Sequence, residues 1–170
     1  MKFFAFFSLF VSLVFTQGSP NVYWNSLATD VTVGVPLVDD PTLIGGRIQI
    51  KVSFNGGKSY EEMGEIFTIE KSDIDDLKNV SVPAGIFEAM PGFSEGGKAQ
   101  FIAKVWDRAG NSIEGSVSDS VLSIDETVPT LVSLKIISSN EKKNLAMPGD
   151  SIIFDLVTSE PIKTPEFEIN

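Results

Sequence analysis

The stretch Arg47–Phe54, RIQIKVSF, alternates polar and apolar side chains along its whole length. Its apolar positions are Ile48, Ile50, Val52 and Phe54. Successive side chains of a β-strand point to opposite faces of the sheet, so this alternation predicts one inward apolar face and one outward polar face. The stretch therefore predicts a half-buried strand of an antiparallel sheet.

Shorter apolar runs lie on both sides of this strand, at residues 31–35, 66–69, 80–82, 101–106 and 121–124. They are separated by turn-forming sequences such as Asp-Asp-Pro, Asn-Gly-Gly and Ala-Gly-Asn. About seven short strands with turns between them are typical of an immunoglobulin-like antiparallel β-sandwich. The one helical turn that we expect covers Ser72–Asn79, SDIDDLKN, with Ser72 capping its free N–H groups. The sequence thus predicts an all-β fold.

The same pattern begins a second time at Asp125–Glu160, DETVPTLVSLKIISSNEKKNLAMPGDSIIFDLVTSE. Subtracting 45 from 149 gives an offset of 104, which places Gly149 on Gly45. The same offset pairs Ile152 with Ile48, Phe154 with Ile50, Leu156 with Val52 and Leu131 with Leu27. Shared patterning at a domain-sized period indicates a tandem repeat. We therefore predict an immunoglobulin-like domain over residues 19–125 and an incomplete, N-terminal part of a second one over 126–170, with open sheet edges and an unburied face.

The chain opens with the features of a secretory signal peptide. Lys2 precedes an uncharged apolar run over residues 3–15, and Thr16 and Gly18 follow as small residues where a signal peptidase reads them. The run is shorter than the roughly 20 apolar residues that cross a bilayer. We expect a leader over residues 1–18, cleavage after Gly18, and a secreted or cell-surface product without a transmembrane span in the mature chain.

Composition excludes several functions. The formal net charge is −10, and removal of Lys2 with the leader makes it −11. Such acidity argues against nucleic acid as a partner and suits the binding of cations. The sequence contains no histidine and no cysteine, which excludes a Ser-His-Asp triad, a thiolate nucleophile and an ordinary zinc site. A paired-carboxylate glycosidase is the enzyme class left open, but so small a sandwich rarely provides its cleft, and we predict that the protein is not an enzyme.

The strongest family resemblance covers residues 101–162. It is carried by VWDRAGN (105–111), LSIDETVPTLVSL (122–134), LAMPGDSIIFDL (145–156) and TSEPI (158–162). These segments look like the tandem bacterial Ig-like repeat domains of exported surface and adhesin-type proteins. The resemblance implies adhesion, spacing or display, and further Ig-like repeats of the same chain as neighbours. Because proteins with this fold have many different roles, the resemblance does not identify a ligand.

A weaker resemblance lies at Ser53–Tyr60, SFNGGKSY, which is similar to the Asp-box hairpin of sialidase-like propellers. Asn55 stands where that motif has aspartate, and the chain has only Arg47 and Arg108 to bind a substrate carboxylate. We interpret this segment as a glycine-rich connection between strands.

Two acidic clusters are candidates for cation binding. Asp107–Asn111, DRAGN, has the residues of a tight hairpin turn and offers only two side-chain ligands. Asp125 and Glu126 should lie at the opposite end of the sandwich, where the chain passes into the next domain. We expect them to meet the turn around Glu95 and the carboxylates of Asp39, Asp40 and Glu160. Calcium bound at this junction is one interpretation, and a solvated acidic linker stiffened by Pro129 is the other.

Trp106 is the candidate ligand-binding residue. Alternation places it on the polar face with Ile102 and Lys104, where an exposed ring could stack on a sugar; burial under a loop is the alternative. The predicted function is a non-enzymatic, exported bacterial repeat protein that acts in adhesion or as a structural spacer, with a cell-surface protein or polysaccharide as partner. The alternative is a carbohydrate-binding or accessory module of a longer exported enzyme.

Overall fold

The structure is a computed structural model that describes residues 12–13 and 23–166. Strands make up 44% of the described residues and helices are few, which confirms the prediction of an all-β fold. The chain divides into two compact units, Met1–Glu126 and Thr127–Asn170. The predicted leader lies outside the described residues, apart from the backbone of Ser12–Leu13.

The first unit is built from short strands that form two sheets. The strands are β1 (Ser12–Leu13), β2 (Tyr23–Trp24), β3 (Asp30–Leu37), β4 (Arg47–Ser53), β5 (Glu61–Thr68), β6 (Asp76–Pro83), β7 (Lys98–Trp106), β8 (Ser112–Glu114) and β9 (Leu122–Ile124). One sheet has the order β1-β3-β6, and the other has the order β2-β9-β7-β4-β5, with β8 paired to β7. The pairs are antiparallel except for β2 and β9, which run parallel.

The strand with the alternating sequence, β4, lies between β5 and β7. Ile48, Ile50 and Val52 are buried, as the alternation predicts. Gln49 is buried as well, although it lies on the polar face. Its amide nitrogen donates to the carbonyl of Met63 at 3.0 Å, where the register between β4 and β5 shifts. The side-chain amide therefore donates to backbone carbonyls of both strands, those of Ile50 and Met63, and is satisfied although it is buried.

Both sheets contribute side chains to one core, including Val31 and Val33 from β3 and Phe101 from β7. A short helix that the sequence analysis did not predict, α1 (Ala84–Glu88), inserts Phe87 among these residues. The Phe87 ring lies 4.8 Å from that of Trp24, measured between centroids, in an edge-to-face arrangement. Burial of such aromatic groups is a principal stabilising term for a domain without disulfides.

The helical turn predicted at Ser72–Asn79 is wrong in extent and in its cap. The structure has a single 3-10 turn at Lys71–Asp73, and β6 begins at Asp76. The Asp73 carboxylate accepts a hydrogen bond from the Glu70 N–H at 2.8 Å, so Ser72 is not the capping residue. Asp75 has a positive φ of 59°, which ends any helical path before the buried positions of β6.

The connection at Ser53–Tyr60 joins β4 to β5, as the glycine-rich sequence predicts. The Ser53 hydroxyl accepts a hydrogen bond from the Gly57 N–H at 2.9 Å, and the Asn55 side-chain oxygen accepts from the Lys58 N–H at 3.0 Å. The loop is therefore held by its own polar side chains.

The second unit contains an antiparallel hairpin of β10 (Leu131–Ser138) and β11 (Ile152–Thr158). Leu134 pairs with Leu156 and Ile136 with Phe154, so these four residues share one face of the hairpin. Lys135 pairs with Asp155 on the other face. Ile136 is 58% exposed, which shows that this two-stranded sheet has little covering layer in the described structure.

The offset of 104 assigned to the repeat is not supported by the strand pairing. It places β11 on β4, yet β4 pairs with the strands that follow it, β5 and β7. The same offset places β10 on residues 27–34, which overlap β3, yet β10 pairs with β11 whereas β3 does not pair with β4. The alternation that led to the offset of 104 is common to all half-buried strands, so it cannot distinguish one strand from another. That the second unit is a repeat of the first stays a prediction.

Candidate functional site

Trp106 lies at the end of β7 on the outer face of the larger sheet and is partly exposed. β4 places Arg47 directly opposite Trp106. The guanidinium carbon of Arg47 lies 5.3 Å from the centroid of the indole ring, and the ammonium nitrogen of Lys104 lies 4.9 Å from it. Both distances allow a cation–π interaction. The charged ends of Arg47 and Lys104 therefore lie over the ring that was predicted as a ligand site.

The same face continues along β4 and β7 to a second charged pair. The Lys51 ammonium donates to Glu114 Oε1 at 2.8 Å, so its side chain reaches from β4 across β7 to β8. Ile102, which pairs with Lys51, is only 5% exposed although it points away from the core. The hydrogen bond from Lys51 is the main cause of the lowered pKa of the Glu114 carboxyl.

Arg47 and Lys104 are different from Lys51 in one respect. The described residues contain two ion pairs, Lys51 with Glu114 and Lys78 with Asp73. Neither Arg47 nor Lys104 has a carboxylate within ion-pair distance in the described part of the chain. We refer to Arg47, Lys104 and Trp106 as the outer-face cluster.

The Asp107–Asn111 turn joins β7 to β8, as its sequence predicts. The Asp107 carboxylate accepts hydrogen bonds from the Asn111 N–H at 2.8 Å and from the Asn111 side-chain amide at 2.6 Å. These bonds, the side-chain one first, lower the pKa of Asp107. The carboxylate therefore acts as the acceptor that closes the turn.

Asp40 lies beside this turn. It lines a shallow cavity of about 220 Å³ together with Asp107 and Asn111. The Arg108 N–H donates to the carbonyl of Thr42 at 3.1 Å, which fixes the Asp40 loop at this end of the sheet. The Asp40 carboxylate caps the 3-10 turn Pro41–Leu43 by accepting from the Thr42 N–H at 2.9 Å.

This position contradicts the predicted grouping of Asp39 and Asp40 with Asp125. Ser123 pairs with Lys98 at the start of β7, whereas Asp107 follows the last residue of the same strand. A strand of this length spans roughly 30 Å, so Asp39 and Asp40 lie far from Asp125. The sequence correctly predicted that Asp107 and Asp125 occupy opposite ends. The error concerned the 39–40 loop, which the chain reaches after β3 has crossed to the Asp107 end.

Asp125 and Glu126 leave the first unit beside the turn at Glu95, where the sequence predicted them. The Asp125 N–H donates to the carbonyl of Trp24 at 2.9 Å, and the Glu126 N–H donates to Glu95 Oε2 at 2.8 Å. Glu160 belongs to the second unit, and its Oε1 atom is buried with no hydrogen-bond partner among the described residues. Over residues 23–166, no three His, Cys, Asp or Glu side chains form a group that could hold a metal ion. A calcium site at Asp125, Glu126 and Glu160 stays a prediction.

No family model matches the chain, and no curated protein matches its sequence. None of the helices among the described residues has the length and hydropathy needed to cross a membrane.

Proposed function

We propose that this chain is a secreted or cell-surface bacterial protein whose Ig-like β-modules act without catalysis, in adhesion or as structural spacers. Its neighbours would be further Ig-like repeats of the same chain, and its partner a cell-surface protein or polysaccharide. The observation that carries the proposal is the strand order of the first unit.

That order supports an immunoglobulin-like sandwich. β3 pairs with β6 as strands B and E of that fold do, and the order β9-β7-β4-β5 matches its strands G, F, C and C′ in the variable type. β1 is not part of this match, because Ser12–Leu13 lie in the predicted leader. One core contains side chains from both sheets. The chain departs from antibody domains in having no cysteine, and its buried Trp24 comes from β2 instead of strand C.

The composition supports the non-enzymatic part of the proposal. The sequence has no histidine and no cysteine, so it lacks a Ser-His-Asp triad and a thiolate nucleophile.

Export is tested by the fate of the N-terminal segment. The full chain, expressed in a bacterial host, should be cleaved after Gly18 and become accessible to protease on intact cells. A matched variant, Val11→Arg, places a charge in the apolar run and should leave the chain uncleaved inside the cell. An uncleaved native chain in the cytoplasm would refute export. Cleavage would also remove β1 and leave that edge of β3 for another strand, since Ser12 and Leu13 pair with Gly34 and Val33.

The predicted calcium site at Asp125, Glu126 and Glu160 has a test of its own. Bound calcium should extend the chain in X-ray scattering and raise its melting temperature relative to a chelator, because a ligand of the folded form stabilises it by mass action. Asp125→Asn should remove both effects, whereas Asp39→Asn, at the far end of the first unit, should keep them. No response at millimolar calcium would rule out the site and favour a plain acidic linker.

The alternative function, a carbohydrate-binding or accessory module of a longer exported enzyme, is favoured by one observation. Trp106 is partly exposed on a sheet face, where aromatic rings can stack on sugars.

A further inference from the structure

The outer-face cluster combines an aromatic ring with two cations on a strongly acidic chain. The formal net charge is −10, yet neither Arg47 nor Lys104 is neutralised by an ion pair in the described part of the protein. Glu114 on β8 binds Lys51 and also lies directly opposite Lys104, and Glu62 on β5 lies opposite Lys51. Arg47 instead has Thr68 and Trp106 as its cross-strand partners, so no carboxylate lies directly opposite its positive charge.

The position of the cations suits a charged ligand that also has an apolar surface. Arg47 lies on β4 and Lys104 on the adjacent strand β7. The residue of β4 directly opposite Lys104 is Gln49, two positions after Arg47. The planar guanidinium group can donate two parallel hydrogen bonds to a carboxylate. An indole ring supplies a flat apolar surface on which the C–H face of a pyranose can pack. A uronic acid carries both features on one ring.

We propose that the outer-face cluster binds an acidic polysaccharide that contains uronic acid residues. Arg47 and Lys104 bind the carboxylate, and Trp106 packs against the sugar ring. The inference rests on the proposed adhesive function and gives that adhesion a ligand class. A neutral glycan lacks the carboxylate that the two cations would bind.

The test is affinity electrophoresis of the full chain in gels that contain polygalacturonate, with neutral dextran and dextran sulfate as comparison polymers. Polygalacturonate should retard the native chain, and neutral dextran should not. Arg47→Gln should weaken binding by about tenfold or more, because a hydrogen bond to a charged group is lost. Arg108→Gln is the matched control, since it removes the chain's other arginine and the same charge, and it should change the affinity less than about twofold.

Two variants separate ring stacking from charge attraction. Trp106→Ala should abolish retardation, and Trp106→Phe, which keeps an aromatic ring and protects the fold, should give intermediate binding. Polygalacturonate should also reduce quenching of Trp106 by acrylamide, whereas the fully buried Trp24 is unaffected. Equal loss in Arg47→Gln and Arg108→Gln would overturn the proposal. So would unaltered retardation of Trp106→Phe and Trp106→Ala, or tighter binding to dextran sulfate than to polygalacturonate, since each would indicate ion exchange alone.

Failure of this test is distinguishable from failure of the proposed function. A native chain that ignores polygalacturonate but is still cleaved and displayed would remove the ligand assignment and leave the spacer role. A chain that binds polygalacturonate but is not exported would remove surface display and leave the binding site.

Discussion

Replacement of Phe87 by alanine should be among the most destabilising single changes in the first unit. The side chain is fully buried, and its ring contacts four other aromatic rings. The centroid distances are 4.8 Å to Trp24, 5.3 Å to Phe93, 5.7 Å to Phe54 and 5.9 Å to Phe101. Phe-to-Ala changes in cores cost about 3–5 kcal/mol, and aromatic pairs add to area burial, so we expect about 4 kcal/mol.

A loss of this size should lower the melting temperature by roughly 15–30 °C for a domain of about 100 residues. Urea denaturation followed by tryptophan fluorescence measures it, because Trp24 packs against Phe87. Ile86→Ala is the matched control, since Ile86 lies on the same helix and is 38% exposed. It should cost less than about 1 kcal/mol. A loss below about 1.5 kcal/mol for Phe87→Ala, or equal losses for both variants, would refute the assignment of Phe87 to the centre of the core.

Three other changes test the surrounding structure. Gly46→Ala should destabilise the protein by about 2 kcal/mol or more in thermal melting, because a Cβ there overlaps the carbonyl oxygen of Trp106 and lies 2.8 Å from that of Leu43. Gly85→Ala is the control, since the space around Gly85 is open, and it should be neutral or stabilising in the same melting assay. Gln49→Leu should cost about 1–3 kcal/mol by chemical denaturation, since the Met63 carbonyl loses its donor; a loss under about 0.5 kcal/mol would contradict that role. The hydrogen bond from Thr32 lowers the pKa of Asp30, so its stabilisation is present above the ordinary value of 3.8 and is lost as the pH falls through the folded pKa. Asp30→Asn should therefore destabilise the protein at pH 7 and have less effect near pH 3, and an equal effect at both pH values would show that the charge is not involved.

Local patterns were sufficient for the class of fold and for most strands. The alternation at Arg47–Phe54 requires one buried face in any sheet, and Ile48, Ile50 and Val52 are buried. The Asp107–Asn111 turn was also determined locally, because Asp107 and Asn111 bond to each other within five residues. The bonded residues of the turn are close in sequence, and the alternation of β4 requires one buried face whichever strands pair with it.

Tertiary structure decided what depends on which strands become neighbours. The sequence gives no sign that Asp40 reaches the Asp107 end, because that depends on β3 crossing the whole sandwich first. Nor could alternation show that β10 pairs with β11 whereas β3 does not pair with β4, since all half-buried strands share the pattern. Arg47 and Trp106 are 59 positions apart in the chain, and only the register between β4 and β7 places them together. Side-chain type and spacing thus determined which residues face inward, whereas long-range pairing, which depends on the free energy of the whole fold, determined which residues meet.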